Sequence, residues 1–200
     1  MANTSTPMGL QPIGMNGMPW YGACRVYNVP ASDGTALYRG DPVIAAGSAD
    51  AFGVPTAIRA TAAGGAYISG VMVGVVNGPR AGASATVGLT QNSTVYRAAS
   101  TNTYILVADD PNQLFVAEED GLGGALAATN VSQNIDLISG TGSTVTGLSG
   151  FLLDSSTANT TATLQCRLIE LLRSPDNEIG TSAKWVVRIN LHQLWRTTGI

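Results

Sequence analysis

Short apolar runs, rich in valine, isoleucine, tyrosine and threonine, alternate along the chain with clusters of glycine, proline and small polar residues. Runs of this length that are bounded by turn residues are typical of strands, whereas helices need longer segments with a period of about 3.6 residues. The pattern predicts strands at 24–29, 42–46, 56–61, 67–76, 84–90, 94–99, 103–109, 113–119, 134–139, 161–172 and 184–195. Many short strands predict an all-β fold, a barrel or a jelly-roll-like sandwich, with little helix.

The segment 184–195 has the clearest alternation of apolar and polar residues. Because successive side chains of a strand point to opposite faces, the segment predicts one apolar and one polar face. The apolar face would hold Trp185, Val187, Ile189 and Leu191, and the polar face Arg188, Asn190 and His192. His192, the only histidine of the chain, is therefore expected at a polar surface.

Turn-forming residues punctuate the predicted strands. The Asp-Gly pair within 32–35 suits a tight hairpin that needs positive φ. The proline within 109–113 suits the second position of a type I turn. Residues 123–130 are the candidate for one short helix. The residues of 139–150, mostly glycine, serine and threonine, predict a long loop or a poorly anchored strand.

The segment 1–22 shows neither a strand period nor a helical one, and it predicts an extended N-terminal arm before a single β domain at 23–200. The arm is too apolar for a free tail, so it is expected to lie on a surface, its own or a neighbour's. The residues expected to contact a partner are Met8, Leu10, Met15, Met18, Trp20 and Tyr21. If the arm reaches a neighbour, a chain that lacks residues 2–20 should still fold. If the arm seals the protein's own core, the same deletion should unfold it.

Charge is scarce in this chain. Charged residues make up 12% of it, about half of the roughly 25% typical of globular domains. A surface with so little charge gives poor protection against association, and it favours a protein that packs against partners. The net charge is −3 and the ten basic residues form no cluster, which argues against direct binding of nucleic acid.

Targeting signals are not evident in the sequence. The start of the chain lacks the charged and apolar regions of a secretory signal. The most apolar segment, 66–76, has about half of the roughly 20 residues that a membrane-spanning helix needs. A soluble protein made in the cytoplasm, with no membrane partner, is expected. Cys24 and Cys166 form neither a disulfide framework nor a metal cluster, and they are expected to stay reduced.

Candidate catalytic groups are few. The sequence contains no G-x-S-x-G motif, so it offers no serine nucleophile of that type for the single histidine to activate. The densest acidic cluster consists of Asp109, Asp110, Glu118, Glu119 and Asp120. If 103–109 and 113–119 form a hairpin, Asp109 would approach Glu118 or Glu119, and the pair would bind Ca²⁺ or act as acid and base. The simpler interpretation is a solvated strand end. No catalytic, cofactor or metal site is predicted, and an enzyme is not expected.

The tripeptide Arg39-Gly40-Asp41 matches a cell-adhesion motif. Turn chemistry accounts for it without adhesion. Gly40 gives the turn a permissive backbone, and Asp41 is held extended because Pro42 follows it. We therefore expect a structural role for the tripeptide.

The N-terminal part of the chain has a series of short motifs: a Gly-Leu-x-Pro arm, an aromatic-Gly-Ala segment, a tyrosine-bearing strand, Ser-x-Gly-Thr-Ala and an aromatic-x-Gly-Asp-Pro-Val turn. The residues that form them are Gly9, Leu10 and Pro12; Tyr21, Gly22 and Ala23; Tyr27; Ser32, Gly34, Thr35 and Ala36; and Tyr38, Gly40, Asp41, Pro42 and Val43. This series resembles the N-terminal signature of small virion proteins of tailed phages. The segments 134–171 and 184–193, with Asn177 and Gly180 between them, are similar to the same group.

The resemblance implies a capsid cement or decoration protein of a podovirus-like phage, without catalysis or cofactor. Such a protein is a mostly β virion component that binds the major capsid protein and copies of itself and stabilises the expanded head. It would be made in the cytoplasm of the bacterial host. Three alternatives stay open: a carbohydrate-binding β-sandwich, a minor tail or spike component, and a hydrolase that uses Asp109 and Glu118.

Overall fold

The computed structural model describes residues 3–15, 18–76, 95–197 and 199. The described chain is nearly all β, so the all-β prediction is confirmed. Its strands are β1 (Gln11–Met15), β2 (Met18–Pro19), β3 (Arg25–Val29), β4 (Pro42–Ala49), β5 (Pro55–Arg59), β6 (Gly70–Val76), β7 (Thr103–Ala108), β8 (Leu114–Glu118), β9 (Asn134–Ile135), β10 (Leu137–Ile138), β11 (Leu152–Leu153), β12 (Cys166–Leu171) and β13 (Lys184–Ile189). Three single-turn 3₁₀ helices accompany them, at Ala128–Asn130, Ser155–Thr157 and Gln193–Trp195.

Five strands close into a barrel in the order β3-β5-β4-β6-β7, with β7 returning to β3. All pairs are antiparallel except β3 with β5. Closure removes the free strand edges that an open sheet would expose. The side chains that fill the barrel come from its strands and one flanking segment: Tyr27, Val29, Leu37, Val43, Ala57, Met72, Ile105 and Val107.

A six-stranded antiparallel sheet, in the order β2-β1-β8-β13-β12-β9, packs beside the barrel, and β10 and β11 form a small separate sheet. The main core contains residues of the sheet and of the barrel strands β6 and β7. On β6, Val71 belongs to this main core and the next residue, Met72, to the barrel interior. Because side chains alternate along a strand, one strand serves both cores.

The alternation predicted for β13 is confirmed as far as the strand extends. Trp185 and Val187 are fully buried, Ile189 is 1% exposed, and Arg188 is half-buried. The strand ends at Ile189, so the alternation gives no information about the residues that follow it.

Two turn predictions have different outcomes. The turn at 110–113 is confirmed, because the Gln113 amide donates to the Asp110 carbonyl at 3.0 Å. The tight hairpin at 32–35 is wrong. The turn lies earlier, where the Asp33 amide donates to the Pro30 carbonyl at 3.0 Å. β3 pairs with β5 and β7, so no hairpin joins β3 to β4.

Other predicted elements are shorter than expected. The predicted helix at 123–130 is reduced to the 3₁₀ turn Ala128–Asn130, and the loop at 139–150 is confirmed. The predicted strand 84–90 lies outside the described residues. Of 94–99, residues 95–99 are described, and they contribute a single bridge between Leu37 and Arg97.

The Gly-Asp-Pro turn attaches the N-terminal segment to the barrel. The Leu10 amide donates to the Gly40 carbonyl at 3.0 Å, and the Gly40 amide donates to the Met72 carbonyl at 2.8 Å. Gly40 has φ +94°, and a Cβ there would lie 2.2 Å from the Met8 carbonyl oxygen. Glycine is therefore required at this turn for its conformation and for the close approach of the two segments.

Candidate functional site

The N-terminal segment is part of the six-stranded sheet, where β1 lies between β2 and β8. Leu10, predicted to contact a partner, is fully buried in the main core, so that prediction is wrong. The reason is that β1 pairs with β8 and carries the preceding residue inward. Met8 is half-buried, and its carbonyl accepts a 2.5 Å hydrogen bond from Gln11 Nε2. The arm was expected to lie either on its own domain or on a neighbour. Leu10 and β1, which follows it, pack on the chain's own domain.

The hairpin formed by β1 and β2 gathers the other predicted contact residues. Met15 pairs with Met18 across the hairpin, and the Trp20 amide donates to the Ile13 carbonyl at 3.1 Å. A concavity of about 190 Å³ results, which we call the hairpin pocket. Its lining consists of Met15, Met18, Pro19, Trp20, Tyr21, Ala23 and Gln113.

The hairpin pocket combines exposed apolar side chains with a fixed base. Met18 is 64% exposed and Tyr21 is 80% exposed. Trp20 is half-buried, and its indole nitrogen donates to the Ala23 carbonyl at 3.2 Å. Buried Gln113 donates from Nε2 to the Gly14 carbonyl at 2.8 Å, which holds the hairpin against β8. Exposed aromatic and methionine side chains on a rigid support are typical of protein interaction sites.

The proposed pairing of Asp109 with Glu118 does not occur. β7 lies in the barrel and β8 in the six-stranded sheet, and the two strands do not pair. Asp109 Oδ2 accepts a 3.0 Å hydrogen bond from the Tyr27 hydroxyl and lies 3.4 Å from Arg25 Nε. Among the described residues, no group of three or more histidine, cysteine, aspartate or glutamate side chains could hold a metal ion.

Glu118, the last residue of β8, and Glu119 after it are buried, so the interpretation as a solvated strand end is also wrong. Glu118 is 1% exposed, and its Oε2 accepts a hydrogen bond from the Thr6 amide at 2.8 Å. Glu119 is fully buried, and its Oε2 accepts from the Leu126 amide at 2.7 Å. Burial raises the pKa of Glu119 to about 7. These carboxyl groups hold an N-terminal residue and the 121–126 segment in place.

His192 is 1% exposed, and the prediction of a polar surface position is wrong. It lies beyond the end of β13 and precedes the 3₁₀ turn Gln193–Trp195, where its Nδ1 accepts from the Leu194 amide at 3.2 Å. Burial lowers the pKa of His192 to about 4, so the ring is neutral near pH 7. A neutral ring fits its capping role at this turn.

The two cysteines are free thiols, as expected from the sequence. Cys166 lies on β12 in the main core, and Cys24 is half-buried before β3. Burial raises the pKa of both thiols, so both stay protonated and poorly reactive near neutral pH.

The Arg39-Gly40-Asp41 tripeptide has the structural role that was expected. Asp41 is 1% exposed, and its Oδ2 accepts from the Tyr38 amide at 3.0 Å. A carboxylate in this position cannot be reached by an adhesion receptor.

Arg97 is an important residue that the sequence did not reveal. Its side chain is fully buried and donates to the carbonyls of Pro30, Thr35 and Thr101. Asp33 Oδ2 lies 3.8 Å from its Nη1. The residue stands in an ordinary strand-like run, and only the folded chain brings these carbonyls around one guanidinium.

A larger concavity, of about 550 Å³, lies on the barrel next to the 139–142 loop. Arg59 is the only charged residue among its lining residues, and the rest are mostly glycine and hydroxyl-bearing residues. Its tyrosine, Tyr38, is 9% exposed and stacks on Tyr96 with ring centroids 5.1 Å apart. Because its aromatic surface is already covered, this concavity is a weaker candidate for partner binding than the hairpin pocket.

Comparison of the chain with protein-family models, curated proteins and solved structures finds no match in any of the three. No helix in the described part of the chain has the length and apolar character needed to cross a membrane.

Proposed function

We propose that this chain is a structural protein of a phage virion, a capsid cement or decoration protein without catalytic activity. It binds the major capsid protein and copies of itself on the shell of the expanded head. The observation that carries the proposal is the hairpin pocket, where exposed Met18 and Tyr21 flank an apolar concavity. The sequence resemblance to small virion proteins at both ends of the chain supports the same assignment.

In this proposal the hairpin pocket is the contact with the major capsid protein. Aromatic side chains dominate the energetics of many interfaces, and methionine adapts to imperfect surfaces. Only 12% of the residues are charged, so charge repulsion and hydration at the surface oppose such contacts only weakly. Repetition over a capsid lattice makes individually weak contacts effective together.

The copy number of the chain in particles tests the function. Particles sedimented from lysates of the cells that produce this chain are analysed by quantitative mass spectrometry against their most abundant protein. A molar ratio near one, or a simple fraction of it, is expected for a cement protein that covers the lattice. A few copies per particle would assign the chain to a tail, vertex or spike. Absence from the particles would contradict a virion function altogether.

Substitutions in the hairpin pocket test the binding surface. Particles stripped of the chain are incubated with purified wild type, Met18→Ser, Tyr21→Ala or the control Phe52→Ala. Phe52 is 75% exposed, lies in the turn between β4 and β5, and is not among the residues that line the pocket. The two pocket variants should lose at least about tenfold in affinity, and the control should bind as wild type does. Unchanged binding of both pocket variants would show that another surface makes the contact.

A further inference from the structure

A second concavity, of about 400 Å³, lies beside the end of the described chain, and it differs in character from the hairpin pocket. Its volume falls within the range of about 300–1,000 Å³ typical of small-molecule sites. Aromatic rings, a guanidinium, an amide and a hydroxyl group surround it. The lining residues are Tyr67, Asn190, Leu191, His192, Trp195, Arg196 and Thr197. We call it the C-terminal pocket.

Trp195 is the principal apolar surface of the C-terminal pocket. It is 47% exposed, which leaves part of a large ring in contact with solvent. The turn that carries it is firmly held, because Gln193 is 4% exposed and bonds to both backbone groups of Ala45 on β4. Gln193 Oε1 accepts from the Ala45 amide at 3.0 Å, and its Nε2 donates to the Ala45 carbonyl at 3.2 Å. The ring is therefore positioned before any ligand arrives, which lowers the entropic cost of binding.

Arg196 is the charged residue that lines the C-terminal pocket, and Asp110 lies near enough to His192 to act on it electrostatically. The Arg188 guanidinium lies 5.2 Å from the Trp195 ring centroid, and that of Arg196 lies 4.5 Å from the Tyr67 centroid. The ion pairs formed within the described residues involve neither arginine. None of the lining residues is acidic. An anionic group in the pocket would therefore find the exposed Arg196 guanidinium, with no carboxylate among the lining residues.

Polar groups of the pocket are placed to bind hydroxyl groups. Asn190 Nδ2 donates to the carbonyls of Ala162 and Leu164 at 3.0 and 2.9 Å. These two bonds fix the amide orientation and leave its Oδ1 as an acceptor. Thr197 adds a hydroxyl group at the exposed side. A flat apolar ring with fixed polar groups and a cation at its side matches a sugar ring that carries a carboxylate.

The geometry points to an acidic saccharide as the ligand of the C-terminal pocket. The apolar face of the sugar ring packs on Trp195, and its carboxylate receives hydrogen bonds from Arg196, whose planar fork suits carboxylate geometry. The sugar hydroxyl groups bond to Asn190 and Thr197. This binding activity is additional to the proposed capsid function and does not depend on it.

The test uses the purified full-length chain on an array of uronate-containing, sialylated and neutral glycans, followed by calorimetry with the best acidic oligosaccharide. The carboxyl-reduced form of the same oligosaccharide is the matched ligand, since it keeps the ring and removes the charge. We expect binding of the acidic form and at least about tenfold weaker binding of the reduced form.

Variants assign the binding to this pocket. Trp195→Ala and Arg196→Gln should each weaken binding at least about tenfold, whereas Trp20→Ala and Arg173→Gln should leave it unchanged. Arg196 is exposed, so its substitution tests the site even if Trp195→Ala impairs folding, which thermal unfolding reports.

Three results would overturn the inference. The first is the absence of binding at a glycan concentration of about 1 mM. The second is equal affinity for the acidic and the reduced oligosaccharide, and the third is undiminished binding by Arg196→Gln. If no glycan binds and Arg196→Gln instead weakens attachment to particles, the pocket is a protein contact and the inference is also wrong. The binding test uses the isolated chain, so its failure leaves the capsid proposal standing.

Discussion

At the scale of single residues, buried polar groups hold loop segments in place outside the regular strands. Arg97 gathers three backbone carbonyls from two separate segments. Glu119 and His192 perform similar local tasks, each by accepting a hydrogen bond from a backbone amide. Buried polar groups with partners of this kind are costly to disturb, because the partner left behind is neither bonded nor hydrated.

Arg97→Met should lower the free energy of unfolding by about 3 kcal/mol or more, since it leaves buried carbonyls and Asp33 without their donor. Arg173→Met is the matched control. Its side chain is 88% exposed and pairs with Glu170 at the surface, so a change below about 1 kcal/mol is expected. Urea unfolding of both variants measures the difference. Equal losses would show that Arg97 does not organise the loops around it.

Glu119→Gln should change how stability depends on pH. Burial raises the pKa of Glu119 from 4.5 to about 7, so the folded chain binds a proton that the unfolded chain has released. The contribution of Glu119 to the free energy of unfolding is therefore lost as the pH rises from about 4.5 to about 7. Relative to wild type, the variant should become more stable across this interval. Thermal unfolding from pH 4 to pH 8 measures the difference, and a constant difference would contradict the assignment.

His192→Gln should show the opposite dependence. Burial lowers the pKa of His192 from 6.5 to about 4, so the unfolded chain takes up a proton that the folded chain excludes. The stability from this residue is lost as the pH falls from about 6.5 to about 4. In the same thermal unfolding measurement, the stability of the variant relative to wild type should increase as the pH falls. Each variant serves as the control for the other, because their pH effects have opposite signs.

At the scale of elements, β1 is attached by two different contacts. It pairs with β8 along its length, and the residues before it meet the turn at Gly40. The backbones at Gly40 and Met8 approach so closely that no Cβ fits between them. The Gly-Asp-Pro-Val turn therefore joins the N-terminal segment to the barrel and also begins β4.

Gly40→Ala tests this attachment, with Gly53→Ala as the matched control. Both glycines have positive φ, but a Cβ at Gly53 would meet nothing within 4 Å. Gly53→Ala should show only the conformational cost of about 1–2 kcal/mol. Gly40→Ala should lose about 1–3 kcal/mol more, because the new methyl group overlaps the Met8 carbonyl. Similar losses for the two variants, measured by urea unfolding, would argue against the tight contact.

At the scale of the whole molecule, a closed barrel and an open sheet share one core, and the N-terminal segment completes the sheet. Val71 and Ala108 of the barrel join Phe115 and Trp185 of the sheet in that core. Leu10 belongs to it as well. The segment predicted to be an extended arm is thus an integral part of the fold, and among its described residues Ile13, Met18 and Tyr21 present large apolar side chains outward.

Deletion of residues 2–20 should prevent cooperative folding, because it removes β1 and the buried side chain of Leu10. Leu10→Ala alone should cost about 2–5 kcal/mol, a large part of a typical stability of about 5–15 kcal/mol. The control Met18→Ala, at a 64% exposed position, should change stability by about 0.5 kcal/mol or less. Near-ultraviolet circular dichroism and urea unfolding report the outcome. A truncated chain that unfolds as cooperatively as wild type would restore the interpretation of a separable arm.

Much of the fold was predictable because strand signals are local. The β-branched runs and the proline turn at 110–113 consist of adjacent residues, and the structure confirms the turn and most of the predicted strands that fall within its described residues. The hairpin pocket was predictable in part, since Met15, Met18, Trp20 and Tyr21 are close in sequence. Leu10 and His192 were assigned wrongly because burial depends on which distant strand covers a residue.

The sequence alone determined that the chain is all-β, where most strands lie and that its surface carries little charge. These properties follow from the side chains of neighbouring residues. The tertiary structure decided which strands close the barrel, that Asp109 and Glu118 stay apart, and that Arg97, Glu119 and His192 are buried. It also brought Tyr67 next to Trp195 and Arg196. Pairing between distant segments is set by the total burial of the folded chain, which no local pattern records.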